Sequence, residues 1–345
     1  MGVESRVQEV IRPLYGRKSR PLYRRKSAGP LLLGICGEGG VGKTTIAKAA
    51  YNKIHHHFDA KSFLLNVSEV WQQDHGEISL QQQLLSVMRY STRRITINTV
   101  EDGKKILQDR LPSWKILLVL DDVNKQDQLD ALCISRTWLC QGSTIIITTR
   151  DVDLLRRLQV DHVYTMNVMN DNESLELFSW YAFKQPNPIE GFAHSSRCVV
   201  EYCRRIPLLL EIIGSFLSTM LSRRLWVTVE QKLVNIPSTA GITKILRISV
   251  DGLSDNDVRR IFFDIALNLS GMNRDKVIQI LSDSRHSAEN GIRALVQRRL
   301  VTIDSRNKIR MHGLVQDCGR EILRGNSTGL PEVRYRFLRL YLIYR

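Results

Sequence analysis

The chain has 345 residues, with 50 Lys+Arg against 35 Asp+Glu, a formal net charge of +15, 43% hydrophobic and 25% charged residues. That length allows two or three domains with a sizeable core, and the composition excludes disordered, collagen-like and coiled-coil classes. No apolar run reaches the roughly 18 residues of a membrane span, the N-terminus lacks a secretory apolar stretch, and the six cysteines show no CxxC spacing, which reads as reduced thiols in an intracellular protein.

Residues 11–30 hold seven basic and no acidic residues, in a tandem repeat, RPLYGRKS at 12–19 and RPLYRRKS at 20–27. The two prolines of the repeat and the lack of an apolar period make this an exposed linker, either a basic arm for nucleic acid or acidic lipid or a plain duplication. From 31 to 169, apolar runs alternate with helical segments: LLLGIC (31–36), FLLNV (63–67), ILLVL (116–120), TIIITT (144–149) and HVYTMNV (162–168). Continuous rather than alternating runs fit strands buried on both faces of a parallel sheet, so the expectation is an α/β domain with helices on both faces. After 170 the pattern turns helical. One helix is capped by Asp171 and ends before Pro186, a second covers 190–203, and a third opens at Pro207. Further helices follow: TKILRISVDGL, DNDVRRIFFDIAL capped by Ser254, and DKVIQIL capped by Asn273. A hairpin-like segment at 300–312 and a closing helix at 314–323 complete a winged-helix pattern, and the last twenty residues have no period.

The chemistry concentrates in three motifs. Gly37-Glu38-Gly39-Gly40-Val41-Gly42-Lys43-Thr44-Thr45 matches GxxxxGK[ST] between a strand and a helix. Its glycines let backbone N–H groups surround a phosphate, the helix N-terminus adds positive potential, Lys43 bridges β- and γ-phosphates, and Thr44 offers a hydroxyl to Mg²⁺. Thr45 and Val41 complete the loop. Lys115 to Val123, KILLVLDDV, is a buried strand ending in two carboxylates. Alone it would serve as a helix cap; about 80 residues after a phosphate loop it assigns Asp121 to the metal and Asp122 to an attacking water. In GSTIIITTRD (142–151), Arg150 ends a strand where it can sense γ-phosphate charge, the alternative being a solvated arginine. His55-His56-His57 suits a helix C-terminus better than one chelated ion, and Cys36 reads as buried and inert.

In motif order, residues 2–325 resemble the NB-ARC nucleotide-binding module of plant disease-resistance proteins, in the subclass that carries a Toll/interleukin-receptor-like domain. GVESRVQEVI resembles the segment leading into the module, and FLLNVSEVW, CRRIPLLLEIIGSFL, IFFDIAL and MHGLVQDCGREI resemble later motifs. The resemblance implies a leader and basic linker (1–30), a P-loop nucleotide-binding domain (31–169), a helical bundle (170–236), a winged helix (237–325) and an unstructured tail (326–345). It implies an ADP/ATP switch with Mg²⁺ and at most slow hydrolysis, off with ADP and on after exchange. Val3 would contact adenine, Pro207 would pack near the base, and His312 would reach the β-phosphate of ADP. It also implies a cytoplasmic protein, with the nucleus as a second location, that self-associates or associates with full-length resistance proteins.

Two departures stand out. Arg205 occupies the first position of the family's GLPL, and Gly313 replaces the aspartate of its MHD motif. If that aspartate caps the closing helix, its loss costs little in capping but removes a charge, so a weakened ADP-bound state is expected. No signalling domain before residue 2 and no leucine-rich repeat after 325 are read, which suggests a truncated member. Two other readings stand beside the switch: a winged-helix ATPase acting on nucleic acid, and a non-functional fragment. The charge argues against a nucleic-acid partner, because residues 11–30 carry +7 and 319–345 carry +4, leaving +4 on the rest.

Overall fold

A computed structural model describes residues 2–15, 29–88, 96–220, 222–237, 241–281 and 285–325. The chain divides into two compact units between Asn167 and Val168.

The first unit holds a five-stranded parallel sheet. Its strands are β1 (Leu31–Cys36), β2 (Ala60–Leu64), β3 (Ile116–Val123), β4 (Thr144–Thr149) and β5 (His162–Thr165), in spatial order β2-β3-β4-β1-β5. Strands alternate their side chains between faces, and the apolar runs sort accordingly. Leu32, Leu118, Leu120, Ile145 and Ile147 pack on one face with Leu80, Leu84 and Leu107 of α4 (Gly76–Ser86) and α5 (Val100–Arg110). Leu33, Ile35, Leu117, Val119 and Ile146 pack on the other with α1 (Val3–Ile11) and α2 (Lys43–Ile54). The helices α3 (Val67–Trp71), α6 (Gln126–Ala131) and α7 (Val152–Arg157) complete the layer on the first face. This is the sandwich of helices around a parallel sheet that the continuous apolar runs require.

Two expectations change here, and the leader gains a structure. The run at 63–67 lies partly outside β2, because Asn66 adopts a left-handed conformation (φ 52) that ends the strand and starts α3. The leader is a helix, α1, whose Val7, Val10 and Ile11 are buried. The linker is not exposed throughout: Arg12–Tyr15 form a tight helical turn with Leu14 fully buried. The rest of the duplicated basic segment lies outside the described residues, as does the 326–345 tail.

The second unit is helical. It comprises α8 (Asp171–Phe183), α9 (Ala193–Tyr202), α10 (Pro207–Leu217), α11 (Arg223–Val234), α12 (Ile242–Asp251), α13 (Asn256–Asp264), α14 (Arg274–Leu281), α15 (Arg285–Gln297) and α16 (Gly313–Gly325). Between α15 and α16 an antiparallel pair, β6 (Thr302–Ile303) and β7 (Ile309–Arg310), makes the wing. One continuous core runs through it, from Phe178 and Leu210 to Phe262, Leu295 and Ile322. Phe178, Phe183, Phe192 and Trp226 form an aromatic cluster with centroids 4.8–6.3 Å apart. Two caps move by one residue. Asn170, not Asp171, accepts the Glu173 amide at 2.8 Å in a reciprocal capping box. Asp255, not Ser254, accepts the Asp257 amide at 2.8 Å. Asn273 caps α14 as expected, accepting from the Asp275 amide at 2.9 Å.

Candidate functional site

The site of the first unit lies where β1, β3 and β4 end. The loop from Gly37 to Gly42 turns β1 into α2, with Gly40 and Gly42 left-handed (φ 81 and 98), a conformation that costs glycine nothing. Gly39 and Val41 are buried, and Val41 joins the cluster that Val3 of α1 packs against. Gly42 precedes α2 without a side-chain cap, so the first-turn amides of Lys43, Thr44 and Thr45 remain available to an anion. Lys43 is 7% exposed and donates from Nζ to the carbonyls of Gly37 (2.8 Å) and Glu38 (2.9 Å). Burial first, then the nearby Arg150 guanidinium, push its ammonium below the usual lysine range, while the Asp122 and Asp121 carboxylates oppose that shift. A buried cation beside a glycine loop and a helix N-terminus suits an anionic ligand.

Asp121 is fully buried. Its Oδ1 accepts from Thr44 Oγ1 at 2.7 Å and from Thr148 Oγ1 at 2.8 Å, while Oδ2 has no hydrogen-bond partner. Burial first, with the Asp122 charge adding to it, raises its pKa, against the two hydroxyl bonds and the nearby Asn66 backbone N–H. An unpartnered buried carboxylate oxygen beside a threonine hydroxyl fits a hard divalent cation such as Mg²⁺, which takes oxygen ligands. Thr44 and Asp121 would hold it, and it would supply charge neutralisation on bound phosphates. Asp122 follows at φ 59, its Oδ2 accepting from Ser68 Oγ at 2.5 Å and its Oδ1 lying 3.8 Å from Arg150 Nε. The structure thus brings Gly37, Gly39, Gly40, Val41, Gly42, Lys43, Thr44, Asp121, Asp122 and Arg150 to one end of the sheet. Thr45 is exposed on the first turn of α2.

Ser68 and Thr148 escape the motif reading. Both lie within quoted motifs, yet their partners are 54 and 26–27 residues away. The hint in the sequence is a hydroxyl at each otherwise apolar position. Cys36 is 7% exposed with a thiol pushed up by burial, in keeping with an inert residue.

In the second unit, Pro207 is the first residue of α10, where its missing N–H costs nothing. Arg205, standing at the GLPL glycine position, has φ 55, the conformation that favours glycine, and pairs with Asp171 at 2.7 Å. His312 accepts the Leu314 amide on Nδ1 at 3.1 Å, which puts the proton of the neutral ring on Nε2. This corrects the capping expectation: His312 caps α16 and Gly313 is its first helical residue.

A model of the NB-ARC domain matches residues 17–187, and a model described as the winged-helix domain of Roq1-like disease resistance protein matches 255–327. Disease resistance protein RUN1 of Vitis rotundifolia is 38% identical over 331 residues, 96% of this chain and 24% of that protein. TMV resistance protein N of Nicotiana glutinosa is 37% identical over 302 residues, 86% of this chain and 26% of its own length. The chain therefore spans about a quarter of the length of these relatives. Among solved structures, Drosophila ORC bound to DNA matches at TM-score 0.44 and 13% identity, covering 92% of this chain and 98% of that chain. That likeness is too slight to bear on what this chain binds.

Proposed function

We propose that this chain, which belongs to the NB-ARC family of plant disease resistance proteins, works as an ADP/ATP switch in defence signalling. Nucleotide binding follows from the P-loop fold. The switch is the finer reading, and it rests on one observation: Thr44, in the phosphate loop, donates directly to Asp121 at the end of β3. A cation and γ-phosphate arriving there must change that contact, and a change of ligand that alters packing can shift a population between states.

In this reading Lys43 and the loop amides hold the β-phosphate, Thr44 and Asp121 order Mg²⁺, and Arg150 registers the γ-phosphate. Asp122 orients a water for slow hydrolysis. Val3, Pro207 and His312 contact the nucleotide as the family resemblance implies. Its partners are the nucleotide, further copies of the chain and full-length resistance proteins. Its location on this reading is the cytoplasm, with the nucleus second, as the family resemblance implies; none of the described helices is long and apolar enough to cross a membrane. The remaining positive charge gives a nucleic-acid partner little support.

The test is to purify the chain, release bound nucleotide and identify it by chromatography. ADP in the wild type and none in Lys43→Ala supports the proposal. Absence of nucleotide from the wild type, with no binding of added ADP or ATP, overturns it.

A further inference from the structure

The pairing of β3 with β4 breaks at the two carboxylates. Leu120 pairs with Ile147 and Val123 with Thr149, so Asp121 and Asp122 together oppose the single residue Thr148. Two residues against one is a β-bulge, and bulges re-aim side chains. In a regular strand, consecutive aspartates would point to opposite faces. Here Asp121 bonds Thr44 and Thr148 while Asp122 bonds Ser68 and pairs with Arg150, all at the same end of the sheet.

Thr148 fills the gap that the bulge opens. It is 1% exposed, and its hydroxyl has one proton and two lone pairs. The Asp122 backbone N–H, displaced from the ladder, donates to Oγ1 at 2.9 Å. That fixes Oγ1 as the acceptor there, so its own proton goes to Asp121 Oδ1 at 2.8 Å. One hydroxyl therefore sets the backbone of one carboxylate and the side chain of the other. Thr44 takes the second position on Oδ1, leaving Oδ2 as the oxygen without a partner.

We infer that Thr148 is the positioning residue of this site: its hydroxyl pins the bulge so that Asp121 presents Oδ2 to a divalent cation bound with the nucleotide. The inference rests on the nucleotide reading above and adds to it a residue that touches neither phosphate nor metal. Groups of this kind, one bond removed from a metal ligand, change metal affinity by about 10- to 100-fold when removed.

The experiment measures affinity of the full chain for the β,γ-imido analogue of ATP, with Mg²⁺ and with EDTA, by calorimetry. The ratio of the two affinities reports the cation. Thr148→Val keeps the shape and loses the hydroxyl; the expected result is a ratio lowered about 10- to 100-fold, with the EDTA affinity within about threefold of wild type. Thr148→Ser restores the hydroxyl and is expected to restore the ratio. Should Thr148→Val fail to fold by circular dichroism, Thr148→Ala is read in the same way, and Thr148→Ser still carries the rescue. An unchanged ratio in Thr148→Val or Thr148→Ala overturns the inference, as does a ratio lost equally in Thr148→Ser. A wild type that binds the analogue equally with and without Mg²⁺ overturns the inference and leaves the nucleotide site standing. A wild type that binds no nucleotide overturns both.

Discussion

Arg150 places Nε 3.8 Å from Oδ1 of Asp122, so the residue expected to sense the γ-phosphate is paired with the residue expected to orient water. Both side chains are more than a third exposed, and such a pair contributes at most about 1 kcal/mol. Its importance is positional: Arg150 cannot hold Asp122 and meet an arriving phosphate group with the same geometry. Asp122→Asn keeps a residue type that tolerates φ 59 while removing the charge. We expect nucleotide affinity within about threefold of wild type and single-turnover hydrolysis slower by about 10²-fold or more. Asp122→Ala should lose a further ~1 kcal/mol of stability, because alanine has no side-chain compensation in the left-handed region. Equal hydrolysis rates in wild type and Asp122→Asn would remove Asp122 from the reaction.

The end of the sheet also depends on how α3 is held, since α3 carries Ser68. Gly76 sits one turn further on, and a Cβ there would lie 1.8 Å from the Val70 carbonyl oxygen. Backbone cannot yield as a side chain can. Gly76→Ala is therefore expected to cost about 1–3 kcal/mol in urea denaturation. Gly29→Ala, with nothing among the described residues within 4 Å, should stay within about 0.5 kcal/mol. Similar midpoints for the two variants would contradict the packing argument.

The strands that could be read from the sequence are those with burial on both faces. Leu31–Cys36 and Thr144–Thr149 coincide with their apolar runs, because every residue but Leu31 is buried. β2 is an edge strand that includes exposed Lys61, so its start is hidden in a polar stretch while the apolar run continues past its end. In α1 the apolar spacing Val3, Val7, Val10, Ile11 is helical, but the basic repeat beside it draws attention to charge instead. The phosphate loop and the aspartate pair are local in sequence and therefore legible. Ser68 and Thr148 are not, because their function lies in hydrogen bonds to Asp121 and Asp122 that only the register of β3 and the placement of α3 create.

Gly313 opens α16 directly after His312, so restoring an acid there acts on the helix dipole rather than on the cap. Gly313→Asp adds negative charge in the first turn and removes a poor helix former. Together these should stabilise α16 by about 0.5–1 kcal/mol. On the switch reading it should also lengthen ADP retention, measured as release of a fluorescent ADP analogue into excess ATP. Unchanged stability would count against the helix argument, and unchanged release against the role given to this position.

A pH dependence is built into the second unit at Glu211. The carboxyl is raised above its ordinary 4.5 chiefly by burial, against the nearby Arg299 guanidinium and a hydrogen bond from Tyr181. Arg299, itself left-handed at φ 58, lies 5.1 Å over the Tyr181 ring. A carboxyl whose folded pKa exceeds the unfolded value binds its proton more tightly in the folded state. Its contribution to stability is therefore fully present below about pH 4.5 and is lost as pH rises through the folded value. Glu211→Gln holds the neutral form at every pH and should remove that slope. Urea denaturation of wild type and variant at about pH 5 and about pH 7.5 reads it: wild type should lose more stability across the interval than Glu211→Gln does. Parallel losses would show that Glu211 keeps the same proton affinity folded and unfolded, with Arg299 and Tyr181 offsetting its burial in full.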